Sequence, residues 1–295
     1  MSPAAPPRDS VSLLGLRAHG LHGVLAEEKR DGHEFAIDVV MHLPTAPAAA
    51  GDALGRTVNY AEVAHTVTEV VAGESLDLIE TLAARIADGV LASQTLVRRV
   101  EIAVHKPTAP IGLPFDDVIV RIARDAPAVD AVLALGSNIG DREGRLRRAI
   151  ALLGETDGVE ILWEGPLVET DPVGGVEQDD FCNTVVGVRT ALSPWELLAA
   201  AHAIEADAHR ERLVRWGPRT LDVDVITWGD LRQDDPDLTL PHPRAHERAF
   251  VLVPWAAARP DDVLPGHGRV ADLAAQAPDR DGVRPWAAGT DGGAS

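Results

Sequence analysis

One break in the pattern constrains the fold of this chain more than any other feature. Val118–Arg124 alternates apolar and polar residues as a strand does. Asp125-Ala-Pro-Ala-Val-Asp130 follows, and a fresh apolar run, Ala131-Val-Leu-Ala-Leu135, starts directly after it. Pro and Ala between two strand-like runs mark 125–129 as a domain boundary. A chain of 295 residues suits two domains of roughly 100–200 residues each. The expected domains are 10–125 and 129–288, flanked by tails of small residues, Pro and Gly. No internal repeat is visible. The single cysteine, Cys182, excludes an internal disulfide framework and a Cys-based zinc cluster. At the centre of a strand pattern it reads as a small buried residue.

Charge narrows the function classes. The net charge is −19, whereas a general nucleic-acid or anionic-membrane binder carries a basic footprint. No run of about 18 apolar residues offers a membrane span, and residues 1–9 lack a charged-then-apolar signal pattern. The expectation is a soluble cytoplasmic protein.

Both halves read as α+β. In the first, Val11–Arg17, Glu34–Leu43, Val97–His105 and Asp117–Ile122 alternate as strands. Tyr60–Ala72 and Leu76–Ser93 carry apolar residues at helical spacing. Paired strands flanking a helix pair suggest an antiparallel sheet with helices on one face. The second half reads as strand Val129–Leu135, helix Asp141–Leu153, strands Val159–Glu164 and Phe181–Arg189, helix Pro194–His209, strand Thr220–Thr227, and a helix after His246. Ser193-Pro-Trp-Glu196 has capping-box spacing with Pro at the first helical position.

Four short segments carry the chemistry of the first half: His22-Gly23-Val24-Leu25-Ala26-Glu27-Glu28, Val58-Asn59-Tyr60, Leu78-Ile79-Glu80 and Val104-His105-Lys106-Pro107. Taken singly, Glu28 and Lys106 read as solvated charges, Glu80 as the exposed face of a helix, and Tyr60 as packing. Composition changes the weight of Lys106. The chain has twenty-five Arg but two Lys, Lys29 and Lys106. Arg replaces Lys for solubility and ion pairing, yet its guanidinium stays protonated and cannot serve as a base. A Lys retained at a strand end is therefore a candidate for proton chemistry, and Tyr60 is the only phenol in the chain.

In this order and spacing the four segments resemble the dihydroneopterin aldolase family over about Val11–Arg124. The resemblance implies a small tunnelling fold, an antiparallel sheet plus two helices. It implies assembly into tetramers or octamers with sites at subunit interfaces. Glu80 is the expected anchor, because one carboxylate accepts both donors of the pterin 2-amino/N3-H edge, with Ile79 beside it. Lys106 is expected to do general acid/base work through water, with Tyr60 relaying a proton and Glu28 completing the site. Retro-aldol cleavage uses the protonated ring as electron sink, so no cofactor is expected in this half. The family usually has Gln where this chain has His33.

The second half carries Arg215-Trp-Gly-Pro-Arg219-Thr-Leu-Asp222-Val-Asp224. Carboxylates at i and i+2 of a strand share a face and repel unless a cation lies between them. Mg²⁺ takes one or two carboxylates and completes its shell with phosphate and water. The alternative is an edge strand with an exposed acidic face. Arg210, Arg212, Arg215 and Arg219 cluster against an acidic background, which suggests a phosphate site.

That segment closely resembles the 6-hydroxymethyl-7,8-dihydropterin pyrophosphokinase family. So do Leu135-Gly-Ser-Asn138, Glu169-Thr-Asp-Pro-Val-Gly174, Phe181-Cys-Asn183 and Leu240-Pro-His-Pro243 with Arg248-Ala-Phe250. The resemblance covers about Val129–Leu273 and implies a ferredoxin-like α+β sandwich. It implies that Asp222 and Asp224 bind two Mg²⁺ bridging the phosphates of ATP. Asn183, Phe181 and Phe250 would hold the pterin, with Thr170, Pro172 and Val173 as further contacts. Arg210, Arg219, His242 and Arg248 would contact the nucleotide or the transferring phosphates, with Arg210 and Arg219 catalytic. Arg212 and Trp216 would belong to a closing loop, and His202 and Glu205 would contact ATP. The family commonly has Gly where this chain has His209.

The two halves would then share one metabolite, made by the first and pyrophosphorylated by the second. The expected partners are pterins, ATP and further copies of the chain, not nucleic acid or membrane. Three alternatives remain open: an epimerase in the first half, a non-catalytic scaffold there, or an RNA-binding module in the second half. The last lacks a basic face with interleaved aromatics.

Overall fold

The structure, a computed structural model, describes residues 9–172, 179–208 and 220–287. The chain divides into two compact units, one ending at Pro127 and one beginning at Ala128. No helix among the described residues is long and apolar enough to cross a membrane.

The first unit runs β1 (Ser10–Gly20), α1 (Ala26–Asp31), β2 (His33–His42), α2 (Ala46–Gly51), α3 (Tyr60–Val71), α4 (Ile79–Ser93), β3 (Arg99–His105) and β4 (Ile119–Asp125). Its strands form one antiparallel sheet in the order β1-β2-β3-β4. Alternate residues of β2, Phe35, Ile37, Val39 and Met41, are buried, as a sheet with one covered face requires. Val63, Val67 and Val71 of α3 and Leu82, Ile86 and Val90 of α4 cover them at helical spacing. The Asn59 side chain accepts from the N–H groups of Ala61 and Glu62 and starts α3.

Two departures from the sequence reading shape the site. Helix α4 starts at Ile79, not at Leu76. Both backbone groups of Leu76 are already engaged: its N–H donates to His22 Nδ1 at 3.1 Å and its carbonyl accepts from Gly23 N at 2.8 Å. The second is α1, whose six residues are too few to show a helical period.

The second unit runs β5 (Val129–Ser137), α5 (Arg142–Glu155), β6 (Val159–Glu164), β7 (Val168–Thr170), β8 (Phe181–Thr190), α6 (Pro194–Asp207), β9 (Asp222–Trp228), α7 (Ala249–Ala258), β10 (Val263–Leu264), β11 (Gly268–Arg269), α8 (Val270–Gln276) and β12 (Val283–Pro285). The order β9-β5-β8-β6, all antiparallel, with α5 and α6 as crossovers, is the ferredoxin-like arrangement. Ser193 and Glu196 form the expected capping box. Nearly all of β5 is buried because both faces are covered. Helices α5 and α6 pack on β5, β8 and β9. Leu252, Trp255, Val270 and Ala274 of α7 and α8 pack on Val132, Ala134, Val185 and Ile226.

Trp163 lies across Gly187 of β8, where an added Cβ would collide with the indole. Gly187→Ala is expected to destabilise this unit by about 1–3 kcal/mol, the usual cost of overpacking. All six Trp of the chain lie after residue 128. A urea titration followed by Trp fluorescence therefore reads this unit, and an unshifted midpoint would contradict the packing described.

Candidate functional site

The first site is built where β1 ends. His22 Nδ1 accepts from Leu76 N, so the ring proton sits on Nε2, which donates to Val71 O at 2.7 Å. Burial pushes the His22 pKa down, against the pull of the Val71 carbonyl, and keeps the ring neutral. This neutral ring joins the end of β1 to the α3–α4 connection. Gly23 follows at φ 149°, and a Cβ there would collide with the Glu28 carboxylate.

Glu28, on α1, is 4% exposed, and Lys106, just past β3, is 6% exposed. Lys106 Nζ donates to Glu28 Oε1 and, at 3.2 Å, to the carbonyl of His22. Glu28 Oε2 accepts from Leu25 N at 2.9 Å. His33 reaches Glu28 Oε1 at 3.2 Å and Thr108 Oγ1 at 3.1 Å, so the residue that departs from the family pattern joins this cluster. Burial raises the Glu28 pKa. The Lys106 ammonium, the Leu25 N–H and His33 outweigh it, and the net shift is downward.

A cavity of about 340 Å³ opens over this pair, lined by Leu25, Glu28, Ile79, Glu80, Lys106 and Pro110 among others. Its size lies within the range of small-molecule sites. Glu80 stands in the first turn of α4, so its carboxylate is exposed to the cavity rather than carried mid-helix. Tyr60 is the residue the structure does not bring in. It begins α3, is 64% exposed, and does not line this cavity.

The second site lies at one end of the second sheet. Asp222 and Asp224 alternate with buried Val223 and Val225 on β9 and so share a face. Asp222 pairs with Gly136, which in turn pairs with Asn183; Asp224 pairs with Ala134. Asn183 Nδ2 donates to Thr170 Oγ1 at 2.7 Å. Gly136 leaves room for that amide, since a Cβ there would lie 2.5 Å from Asn183 Oδ1. The next residues of the motif fasten the surroundings: Ser137 Oγ donates to Thr220 O at 2.6 Å, and Asn138 Nδ2 to Asp179 O at 3.2 Å.

Arg248, at the start of α7, has Nη1 3.9 Å from Asp224 Oδ2 and its guanidinium 5.4 Å from the centre of the Phe250 ring. Phe181 and Phe250 are both partly buried. His242 Nδ1 accepts from Arg244 N at 3.2 Å, leaving Nε2–H as a donor. Burial first, then Arg248 and Arg244, push its pKa down to about 4, against the opposite pull of Asp222. The unfolded imidazole titrates near its ordinary 6.5. Stability present above pH 6.5 is therefore lost as pH falls toward 4, because only the unfolded chain binds the proton there. Trp-monitored urea midpoints at pH 7 and pH 5 should differ less in His242→Gln than in the parent chain; an equal difference in both would contradict this.

His202 and Glu205 are one turn apart on α6 but part company: His202 is exposed, while Glu205 is buried. Glu205 Oε1 accepts from Val223 N at 2.9 Å and holds the strand between the two carboxylates. Pro172 is partly buried beside buried Thr170. Val173, His209, Arg210, Arg212, Arg215, Trp216 and Arg219 lie outside the described residues. Among the described residues no group of three or more His, Cys, Asp or Glu is placed to hold a metal ion. Cys182 is buried in β8, as its pattern suggests. Sequence alone assigns no task to His22, although the His22-Gly23 pair stands inside one of the four chemistry-bearing segments.

A family model described as "Dihydroneopterin aldolase" matches residues 11–123. One described as "7,8-dihydro-6-hydroxymethylpterin-pyrophosphokinase (HPPK)" matches residues 132–260. A dihydroneopterin aldolase of Streptomyces coelicolor is 53% identical over 116 residues, covering 39% of this chain and 97% of that one. A 2-amino-4-hydroxy-6-hydroxymethyldihydropteridine pyrophosphokinase of Bacillus subtilis is 47% identical over 126 residues, covering 43% of this chain and 75% of that one. A bifunctional protein FolKE of Lactococcus lactis is 47% identical over 122 residues, 41% of this chain; the match spans 35% of that protein.

Proposed function

The chain belongs to the dihydroneopterin aldolase family through residues 11–123 and to the 7,8-dihydro-6-hydroxymethylpterin-pyrophosphokinase family through residues 132–260, and from this bifunctional place in folate biosynthesis we propose how its two sites work. We assign the aldolase to 10–125 and the pyrophosphokinase to 129–288.

In the first unit, Glu80 anchors the 2-amino/N3-H edge of 7,8-dihydroneopterin and Ile79 packs on the ring. Lys106, through water, takes the proton of the side-chain 2′-hydroxyl. The C1′–C2′ bond then breaks, its electrons pass into the protonated ring, and glycolaldehyde leaves. Reprotonation at C1′ gives 6-hydroxymethyl-7,8-dihydropterin. Lys106 takes the proton as the neutral amine, and Glu28 fixes Nζ and balances the charge of the ammonium that forms. The exposed Tyr60 serves the cavity of a neighbouring copy in a tetramer or octamer, where it orients the hydroxyl.

In the second unit, the hydroxymethyl oxygen attacks the β-phosphorus of ATP in line, and AMP leaves. Asn183 reads the pterin edge, Thr170, Pro172 and Val173 border it, and Phe181 and Phe250 stack on it. His242 and Arg248 donate to the phosphates, as do Arg210, Arg212 and Arg219, while Trp216 closes the site. His202 faces the nucleotide from α6. Asp222 and Asp224 fit two Mg²⁺: two partly exposed carboxylates on one face leave positions for phosphate and water, which Mg²⁺ favours over an all-protein cage. When bound, the ions neutralise the charge that develops on the phosphates. We expect the whole protein to work in the cytoplasm.

The observation that carries the aldolase reading is the buried Lys106–Glu28 pair beneath a cavity rimmed by Glu80. Incubation with dihydroneopterin in the absence of ATP tests it by product. Glycolaldehyde is expected; a side-chain epimer without glycolaldehyde would make this unit an epimerase, and no turnover at all would leave it a scaffold.

A further inference from the structure

Strand β12 lies beyond residue 260, where the pyrophosphokinase family match ends. It nevertheless extends the sheet beside the proposed pterin wall, pairing Val283 with Thr170, Arg284 with Glu169 and Pro285 with Val168. The Arg284 side chain forks. Nη1 donates to Asp171 Oδ1 at 2.6 Å, and Nη2 to Asp180 Oδ2 at 2.8 Å. Asp171 directly follows Thr170, and Asp180 directly precedes Phe181. The β7–β8 ladder already pairs Thr170 with Phe181, and the guanidinium bridges the two residues that flank this pair, clamping the end of the ladder.

A second cation reinforces the same wall. Arg142, at the start of α5, donates from Nη1 to Asp180 O at 2.8 Å and to Glu169 Oε1 at 3.2 Å. Trp286, two residues after Arg284, lies 4.6 Å from the Arg142 guanidinium, and its Nε1 donates to Glu143 Oε2 at 2.9 Å. The C-terminal strand therefore ties β7, the start of β8 and the start of α5 together around the Asn183–Thr170 bond.

We propose that Arg284 is a positioning residue for pterin recognition, holding Thr170 and Phe181 in register with Asn183 without touching the substrate. This rests on the reading of that wall as the pterin site. The plainer account is a surface ion pair, since the Arg284 side chain is 44% exposed. Exposed pairs contribute little to stability, so a role confined to stability would move neither melting nor binding by much. A planar fork shared by two carboxylates instead fixes geometry, which an ammonium cannot reproduce.

The test uses the full chain. Arg284→Ala is expected to raise KM for 6-hydroxymethyl-7,8-dihydropterin about tenfold, the scale of one mis-set hydrogen bond. KM for ATP, the aldolase rate and the Trp-monitored melting point should stay unchanged, and Arg284→Lys should recover only part of the loss. An unchanged pterin KM in Arg284→Ala, or an equal rise in KM for ATP, overturns the proposal. Asn183→Ala separates the proposal from its premise. If it raises pterin KM and Arg284→Ala does not, the proposal alone fails; if neither does, the pterin reading of the wall fails with it.

Discussion

Asp222→Asn or Asp224→Asn is expected to stop AMP formation while glycolaldehyde appears at the rate of the unaltered chain. Asn keeps the volume and the strand register but removes the charge. The strand itself is held independently of either carboxylate, through Glu205 on Val223 N and the ladder to β5. The fold should therefore survive. Removing one preorganised charge-stabilising group costs about 10²–10³-fold in rate. Loss of a carboxylate that would hold Mg²⁺ in the proposed site is expected at or beyond the upper end. Pyrophosphoryl transfer that persists at saturating Mg²⁺ would refute the metal role of the pair.

The second large effect belongs to the other unit. Lys106→Arg is expected to lower the aldolase rate by about 10²–10⁴-fold, the usual contribution of general acid/base catalysis. Pyrophosphorylation of added hydroxymethyl pterin should continue unchanged. Arg is the informative substitution because it keeps a cation beside Glu28 yet cannot release a proton near neutral pH. Lys106→Ala would confuse two effects, since stripping one partner from a buried ion pair costs about 3–5 kcal/mol by itself. A fully active Lys106→Arg chain would show that Lys106 is a structural partner of Glu28 and not the proton carrier.

The residues differ in how far the sequence exposes their roles. Asp222 and Asp224 are legible because strand alternation is local: spacing alone puts them on one face, and β9 is a strand. The helices that cover the first sheet are legible for the same reason, with Val63, Val67 and Val71 repeating along α3. The arrangement beneath Lys106 has no local signature. It depends on hydrogen bonds between His22 and Leu76, 54 residues apart, and between Lys106 and Glu28, 78 residues apart. Scarcity of Lys marks Lys106 in the sequence, but only the fold brings Glu28 to it, on a helix of six residues.

The second unit shows the same division. Its buried central strand reads from the unbroken apolar run, whereas β12 is three residues with an Arg and a Pro, and nothing in that stretch forecasts a strand. Tyr60 illustrates the opposite case. The sequence marks it as the sole phenol, and the structure leaves it exposed on α3, so a place in the chemistry would require a neighbouring copy.

The central claim is that one chain performs consecutive steps on one pterin. The direct measurement is a time course from 7,8-dihydroneopterin with glycolaldehyde and AMP detected separately, with and without ATP and Mg²⁺. Glycolaldehyde is expected under both conditions, and AMP only when ATP and Mg²⁺ are present and only after glycolaldehyde has begun to form. AMP without glycolaldehyde, or glycolaldehyde with no AMP at saturating ATP and Mg²⁺, would contradict it.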